Sequence, residues 1–170
     1  DEMPEFEVTW DEVLPEPQLE LSQWHPGAGD YGEPANVTSW MDGSGYYEFE
    51  FRASASDLSW QNFTIVYDVW IDGEHYVDQW MDDHGSGMYN VSEWEESAEA
   101  IFYVLVDRYV CEVEIEVGLY EEDGDLANST YHYLPGECTQ PELWLEQYYP
   151  HPYPPDWDTG YDEPANVTSW

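Results

Sequence analysis

The sequence predicts an all-β fold in which two sheets face each other as a sandwich, and three observations carry that expectation. Apolar and polar residues alternate with a period of two along several stretches. Gly, Asp and Pro clusters separate those stretches at a spacing of roughly 8–15 residues. A sustained 3.6-residue apolar period, the mark of an amphipathic helix, is missing throughout.

Each strand can be justified in turn. Residues 46–53 (YYEFEFRA) put Tyr47, Phe49, Phe51 and Ala53 on one face, and Tyr46, Glu48, Glu50 and Arg52 on the other. Residues 61–71 alternate Phe63, Ile65, Tyr67, Val69 and Ile71 against Asn62, Thr64, Val66, Asp68 and Trp70. Asp72-Gly73 signals a hairpin turn, with 74–81 as the return strand. A short helical turn is expected over 92–100, where Ser92 and Glu95 have the spacing of a capping box. Residues 99–107 contain IFYVLV, an unbroken apolar run that fits a strand covered on both faces. Residues 110–120 alternate most clearly, with Cys111, Val113, Ile115, Val117 and Leu119 inward and Glu112, Glu114 and Glu116 outward. A turn at Glu122-Asp123-Gly124-Asp125 leads to a return strand over 127–134, and 140–149 closes the module. About seven short strands in roughly 109 residues (41–149) match an immunoglobulin-like β-sandwich.

The chain also repeats itself. Residues 31–40 read YGEPANVTSW and residues 161–170 read YDEPANVTSW. Upstream, LELSQW (19–24) resembles LWLEQY (143–148), and Leu14-Pro15 echoes Leu134-Pro135. These matches imply a tandem repeat of about 125–130 residues with extended Pro/Gly-rich linkers. On that basis residues 1–24 are the terminal strands of a preceding module, or a donor-strand extension that completes a neighbour's sheet. Residues 25–40 are a linker, 41–149 the sandwich, and 150–170 a Pro-rich linker repeating 25–40.

Every asparagine lies in an acceptor triplet for N-linked sugar: Asn36, Asn62, Asn90, Asn128 and Asn166. Ser and Thr are 18 of 170 residues, so the coincidence is improbable without selection for glycan attachment. Cys111 and Cys138 fit one disulfide, the usual state in an oxidising compartment. Sugars and disulfide together point to an extracellular, cell-surface address.

The formal charge is −37, from 39 carboxylates against Arg52, Arg108 and no lysine. Such a field repels phosphate backbones and anionic headgroups, which excludes nucleic acid as a partner. No apolar run is long enough to span a bilayer as a helix. Aromatic residues make up 18% of the chain, far too many for a disordered acidic tail, so the carboxylates form the skin of a folded body. Glu121, Asp123 and Asp125 cluster oxygen donors in one turn and are the candidates for calcium, with Asp82-Asp83 as a second cluster. No cofactor is expected beyond N-linked glycans and that calcium. The histidines His25, His75, His84, His132 and His151 stand apart in sequence, no nucleophile or metal motif accompanies them, and an enzyme is not expected.

The alternating strand, the VWIDGE turn and the late EVEIEVGLYEEDGD hairpin resemble the tandem immunoglobulin-like modules of archaeal and bacterial surface and filament glycoproteins. That resemblance, over about residues 46–134, implies a structural subunit of a filament, pilus-like fibre or surface coat whose partners are copies of itself. The tryptophans at 24, 40, 60, 70, 80, 94, 144 and 157 fall at outward or linker positions. They suit contacts between modules, or the sugar platforms of an adhesin or carbohydrate-binding module.

Overall fold

The computed structural model describes residues 14–35, 46–139, 147–148 and 161–162. The chain divides into two compact units, 1–139 and 140–170. In the first, nine strands follow one another: β1 (Gln18–His25), β2 (Asp30–Gly32), β3 (Tyr46–Ser56), β4 (Phe63–Ile71), β5 (Glu74–His75), β6 (Gly87–Val91), β7 (Ala98–Asp107), β8 (Glu112–Glu121) and β9 (Leu126–Pro135). In the second, β10 (Gln147–Tyr148) pairs with β11 (Tyr161–Asp162). There is no helix among the described residues.

The nine strands build two antiparallel sheets. One has the order β2-β1-β3-β7. In the other, β4 carries β8 and then β9 on one edge, with β5 and β6 side by side on the opposite edge. Alternation decides what each sheet buries. Tyr47, Phe49, Phe51, Ala53, Phe102, Val104 and Val106 come from the first sheet, and Phe63, Ile65, Tyr67, Val69, Val113, Ile115, Val117 and Leu119 from the second. Tyr67 stacks on Phe102 with ring centroids 4.4 Å apart, and Phe102 on Phe51 at 5.6 Å, so the aromatic contact crosses from one sheet to the other. Each such side chain contributes roughly 1.5–3 kcal/mol by leaving water.

Registers and short connections sort the loops into two poles. The start of β1, the β3–β4 loop, the β6–β7 loop and the β8–β9 hairpin share one pole. The ends of β1, β7 and β9 and the β4–β5 turn share the other. The chain therefore enters the sandwich at one end and leaves it at the opposite one. Its exit is fastened by the Cys111–Cys138 disulfide. Gly136, Cys138 and Thr139 add main-chain hydrogen bonds to the carbonyls of Cys111, Val110 and Arg108.

Several expectations are corrected. The segment assigned to a preceding module or a donor strand includes β1, which lies inside this sandwich, antiparallel to β3 from Gln18↔Ser56 to Gln23↔Phe51. Leu21, Ser22 and Gln23 are all buried there. The supposed linker folds back at 25–35 instead of running on. Ala28 and Gly29 donate to the His25 carbonyl, the Arg52 guanidinium lies 4.0 Å over the Tyr31 ring, and the Tyr31 hydroxyl bonds Glu50. Burial and then that hydrogen bond push the Tyr31 hydroxyl up to about 12.

The return strand after Asp72-Gly73 ends at His75; the main partner on that edge of β4 is β6. Ser92 and Glu95 form half of the capping box, with the Ser92 N–H donating to Glu95 Oε2 at 2.9 Å, while the Glu95 N–H goes to the Ser92 carbonyl; the turn it closes makes no helix, and β7 begins at Ala98. The apolar run 101–106 is an edge strand that alternates, with Phe102 and Val104 buried and Ile101 exposed. Cys111 is exposed, outside the inward row of β8. In the stretch expected to close the module, Gln147–Tyr148 pairs with β11 in the C-terminal unit. Residues 1–13, 36–45 and most of the Pro-rich linker lie outside the described residues.

Two stability outcomes follow from this packing. Phe102→Ala should lower the unfolding free energy by about 3–5 kcal/mol in a urea titration, while Ile101→Ala one residue away should cost less than about 1 kcal/mol. Replacing Cys111 and Cys138 together by Ser should cost about 3 kcal/mol, the contribution of closing that loop in the unfolded chain; an unchanged midpoint would show that the exit strand needs no clamp.

Candidate functional site

The three acceptor asparagines within the described residues all sit in the half of the second sheet nearest the entry pole. Asn62 immediately precedes β4, Asn90 lies near the end of β6, and Asn128 lies near the start of β9. Because β4 and β6 pair with Phe63 opposite Val91 and Thr64 opposite Asn90, two acceptor triplets run antiparallel to each other, strand against strand. Thr64 Oγ1 donates to Asn90 Oδ1 at 3.3 Å, and the Glu93 N–H donates to Asn62 Oδ1 at 3.0 Å. Both triplets line a shallow hollow of about 450 Å³ that Glu121 and Glu122 also border. Neither Asn62 nor Asn90 donates from Nδ2 to another described residue.

Asn128 is placed differently. Alternation along β9 turns it, with Thr130, His132 and the buried Leu134, toward the first sheet. It is half-buried; its Nδ2 donates to the Pro17 carbonyl at 2.9 Å, and its Oδ1 accepts the Ser129 N–H at 2.8 Å. Burial pushes the neighbouring His132 imidazole below its usual range. Asn36 and Asn166 lie outside the described residues.

The calcium candidates do not converge. Asp123 Oδ1 accepts the Asp125 N–H at 3.0 Å, and the Gly124 N–H bonds the Glu121 carbonyl, so the turn satisfies its own polar groups. Among the described residues no three His, Cys, Asp or Glu side chains are grouped to share an ion.

One polar constellation escaped sequence reasoning. His84 is 8% exposed. Its Nδ1 lies 3.0 Å from Asp83 Oδ1, its Nε2 lies 3.1 Å from Glu48 Oε2 on β3, and its ring stacks on Tyr103 of β7 at 5.2 Å. Main-chain bonds reinforce this, the Gly85 N–H to the Tyr103 carbonyl and the Tyr103 N–H to the Asp83 carbonyl, so loop 76–86 is stitched onto the first sheet's edge. Gly85 is required here: its φ is +80°, and a Cβ would sit 2.7 Å from the Tyr76 carbonyl oxygen. Glu48 is 36 residues from His84. No local pattern could have announced the pairing.

The exposed aromatics divide in two. Trp80 is 92% exposed in loop 76–86, and Trp60 and Trp94 are largely exposed at the entry pole. Trp60 adopts φ +44° and Asp57 φ +58°, so the β3–β4 loop holds Trp60 outward in left-handed backbone that L-residues rarely adopt. Trp24 and Trp70 are partly buried, Trp24 edge-on to Tyr31 and Trp70 near His75. Trp40, Trp144, Trp157 and His151 lie outside the described residues. No protein-family model matches the chain, and no curated protein sequence matches it either.

His84 gives the loop a pH dependence with a definite sign. Burial alone lowers its pKa, but the hydrogen bonds and charges of Glu48 and Asp83 outweigh that and hold it above the ordinary imidazole value of 6.5. Its protonated form therefore stabilises the fold fully below about 6.5, and that stabilisation fades as pH rises through the raised folded value. Amide exchange at Gly85 and Tyr103 should accelerate as pH rises above about 6.5 beyond the intrinsic rate increase, and His84→Gln should remove that extra acceleration.

Proposed function

We propose that this chain is a structural repeat of a heavily N-glycosylated extracellular filament, pilus-like fibre or surface coat. The observation that carries the reading is the C-terminal hairpin. β1 and β2 pair with Trp24 opposite Tyr31 and Gln23 opposite Gly32. β10 and β11 pair with Tyr148 opposite Tyr161 and Gln147 opposite Asp162, the same register at the positions that the sequence repeat makes equivalent. The second unit thus begins as the first one does, and the natural unit of repetition starts at β1.

Other features support the same role. Entry and exit at opposite poles suit modules joined in series. The strand order β1-β3-β7 against β6-β4-β8-β9 supports reading them as strands A-B-E and C′-C-F-G of an immunoglobulin-like sandwich. Asn90 is exposed and Asn62 half-buried beside the same hollow, the disulfide suits an oxidising exterior, and Trp60 and Trp94 stand at a pole where a neighbouring module would meet them. The partners are copies of this module.

The exposed tryptophans also support a second reading, an adhesin or carbohydrate-binding module that stacks sugars on Trp60, Trp80 or Trp94. It requires saturable binding to a glycan array that Trp80→Ala or Trp60→Ala abolishes, with the fold intact.

Electron microscopy and intact-mass spectrometry of native surface material test the leading reading together. Sugar-coated fibres are expected, with an axial repeat of roughly 3–4 nm per module, the length of a ten-residue strand. Bare polypeptide that stays monomeric would overturn it.

A further inference from the structure

The three acceptor triplets of the sandwich have different surroundings, and we infer that Asn62 and Asn90 carry its glycans while Asn128 stays unmodified and serves as a latch on the entering strand. The inference rests on the reading of the chain as a secreted glycoprotein. Attachment joins Asn Nδ2 to the anomeric carbon of a phosphate-activated sugar. The bond from that carbon to the phosphate breaks, the phosphate leaves, and Nδ2 gives up one proton to the transferring enzyme's base. The acceptor nitrogen must therefore be reachable, and room for a sugar must lie beside it.

Asn90 meets both conditions. It is exposed, its side chain is engaged through Oδ1 alone, and the hollow of about 450 Å³ opens next to it. Asn62 lies across the same hollow and is likewise held by its oxygen, through the Glu93 N–H. Asn62 is half-buried, as Asn128 is, but holding an amide by its oxygen leaves its nitrogen uncommitted to the fold. The innermost sugars of the two chains would share one polar depression bordered by Thr64, Ser92, Glu121 and Glu122. Two neighbouring glycans in that place would shade the β8–β9 hairpin at the acidic entry pole.

Asn128 is held the opposite way. Its Nδ2 is the donor to the Pro17 carbonyl, on the segment just before β1, 111 residues away in sequence. The side chain points along the inward row of β9 and is half-buried. A sugar on that nitrogen would occupy the space of the entering chain at Pro17. A half-buried carbonyl deprived of its donor would add the cost of an unpaired polar group. Glycan attachment at Asn128 and closure of the entry strand therefore exclude each other, and the folded sandwich keeps the latch.

Glycopeptide mass spectrometry of the full chain from a glycosylating host reads the occupancy. Peptides containing Asn62 and Asn90 should carry sugar, and the Asn128 peptide should have its bare mass. Equal occupancy at all three would overturn the inference while leaving the glycoprotein reading intact. Sugar at none would overturn that reading and the assignment of Asn62 and Asn90 with it. A second measurement tests the latch whatever the occupancy. Asn128→Asp, Asn62→Asp and Asn90→Asp each add the same charge, but only the first removes a donor used inside the fold. In unglycosylated protein Asn128→Asp should lower Tm by about 3 °C more than either of the others. Three equal shifts would remove the latch.

Discussion

Phe102 on β7 stacks against Tyr67 on β4, and that contact between sheets is the constraint around which the rest of the sandwich is arranged. With 39 carboxylates in 170 residues, the chain can fold only if a dry interior is kept free of acid. The strands achieve this by strict alternation. A one-residue slip of β8 against β4 would exchange Val113, Ile115 and Val117 for Glu112, Glu114 and Glu116, which would bring three carboxylates against Phe102 and its neighbours. The charge that burdens the surface thus enforces the register. Gly87 shows how tightly the stack is seated, since a Cβ there would lie 2.8 Å from the Tyr67 hydroxyl oxygen.

The outer surface must then tolerate its own charge. On β8 the outward glutamates stand in a row, and Glu116 faces Asp68 directly across the β4 pairing, an unfavourable cross-strand pair. Neutral and cationic donors are interleaved where the repulsion is greatest. His75 lies 2.9 Å from Asp68. Tyr131 and Tyr133 on β9 donate to Glu114 and Glu112, and those hydrogen bonds push the phenol hydroxyls upward. Two arginines could never neutralise such a skin, and Arg52 is already engaged with Glu99 and the Tyr31 ring. Salt does the rest by screening over a distance of about 10 Å or less.

The sequence made the interior legible and the edges much less so. Period-two alternation names the inward residues of β3, β4 and β8 correctly because each of those strands has pairing partners on both sides and a single dry face. The turn at Asp72-Gly73 was readable because both residues adopt left-handed backbone, which Asp and Gly tolerate. The edges failed for a physical reason. At β7 the apolar run IFYVLV looks the same whether its outer side meets water or a loop, and here loop 76–86 covers Tyr103 and leaves Ile101 open. β1 was read as a strand of another module, and the turn and β2 as a linker, because Pro and Gly mark a hairpin and a tether alike. What distinguishes them is Arg52 over Tyr31, a contact 21 residues apart that local composition does not encode. The acceptor triplets announced themselves, but their accessibility did not, since a triplet carries no sign of which way its amide will face.

In the proposed serial assembly a pulling force would meet different fastenings at the two poles. In modules joined in series, tension enters β1 at the Gln18 end and leaves beyond Thr139 at the other pole. β1 would be drawn along its own length against β3, so the hydrogen bonds between Gln18 and Gln23 on one side and Phe51 and Ser56 on the other are loaded together in shear. At the exit, β9 would be drawn along its own length against β8 in the same way. The Cys111–Cys138 bridge would relieve those hydrogen bonds by carrying the load from residue 138 straight to the start of β8, bypassing the hairpin between them. The N–H groups of Cys111 and Glu112 both donate to Asp72 Oδ1, which ties that point to the β4–β5 turn. Hydrogen bonds in shear would then hold the entering strand, and a covalent bridge would share the load at the exit.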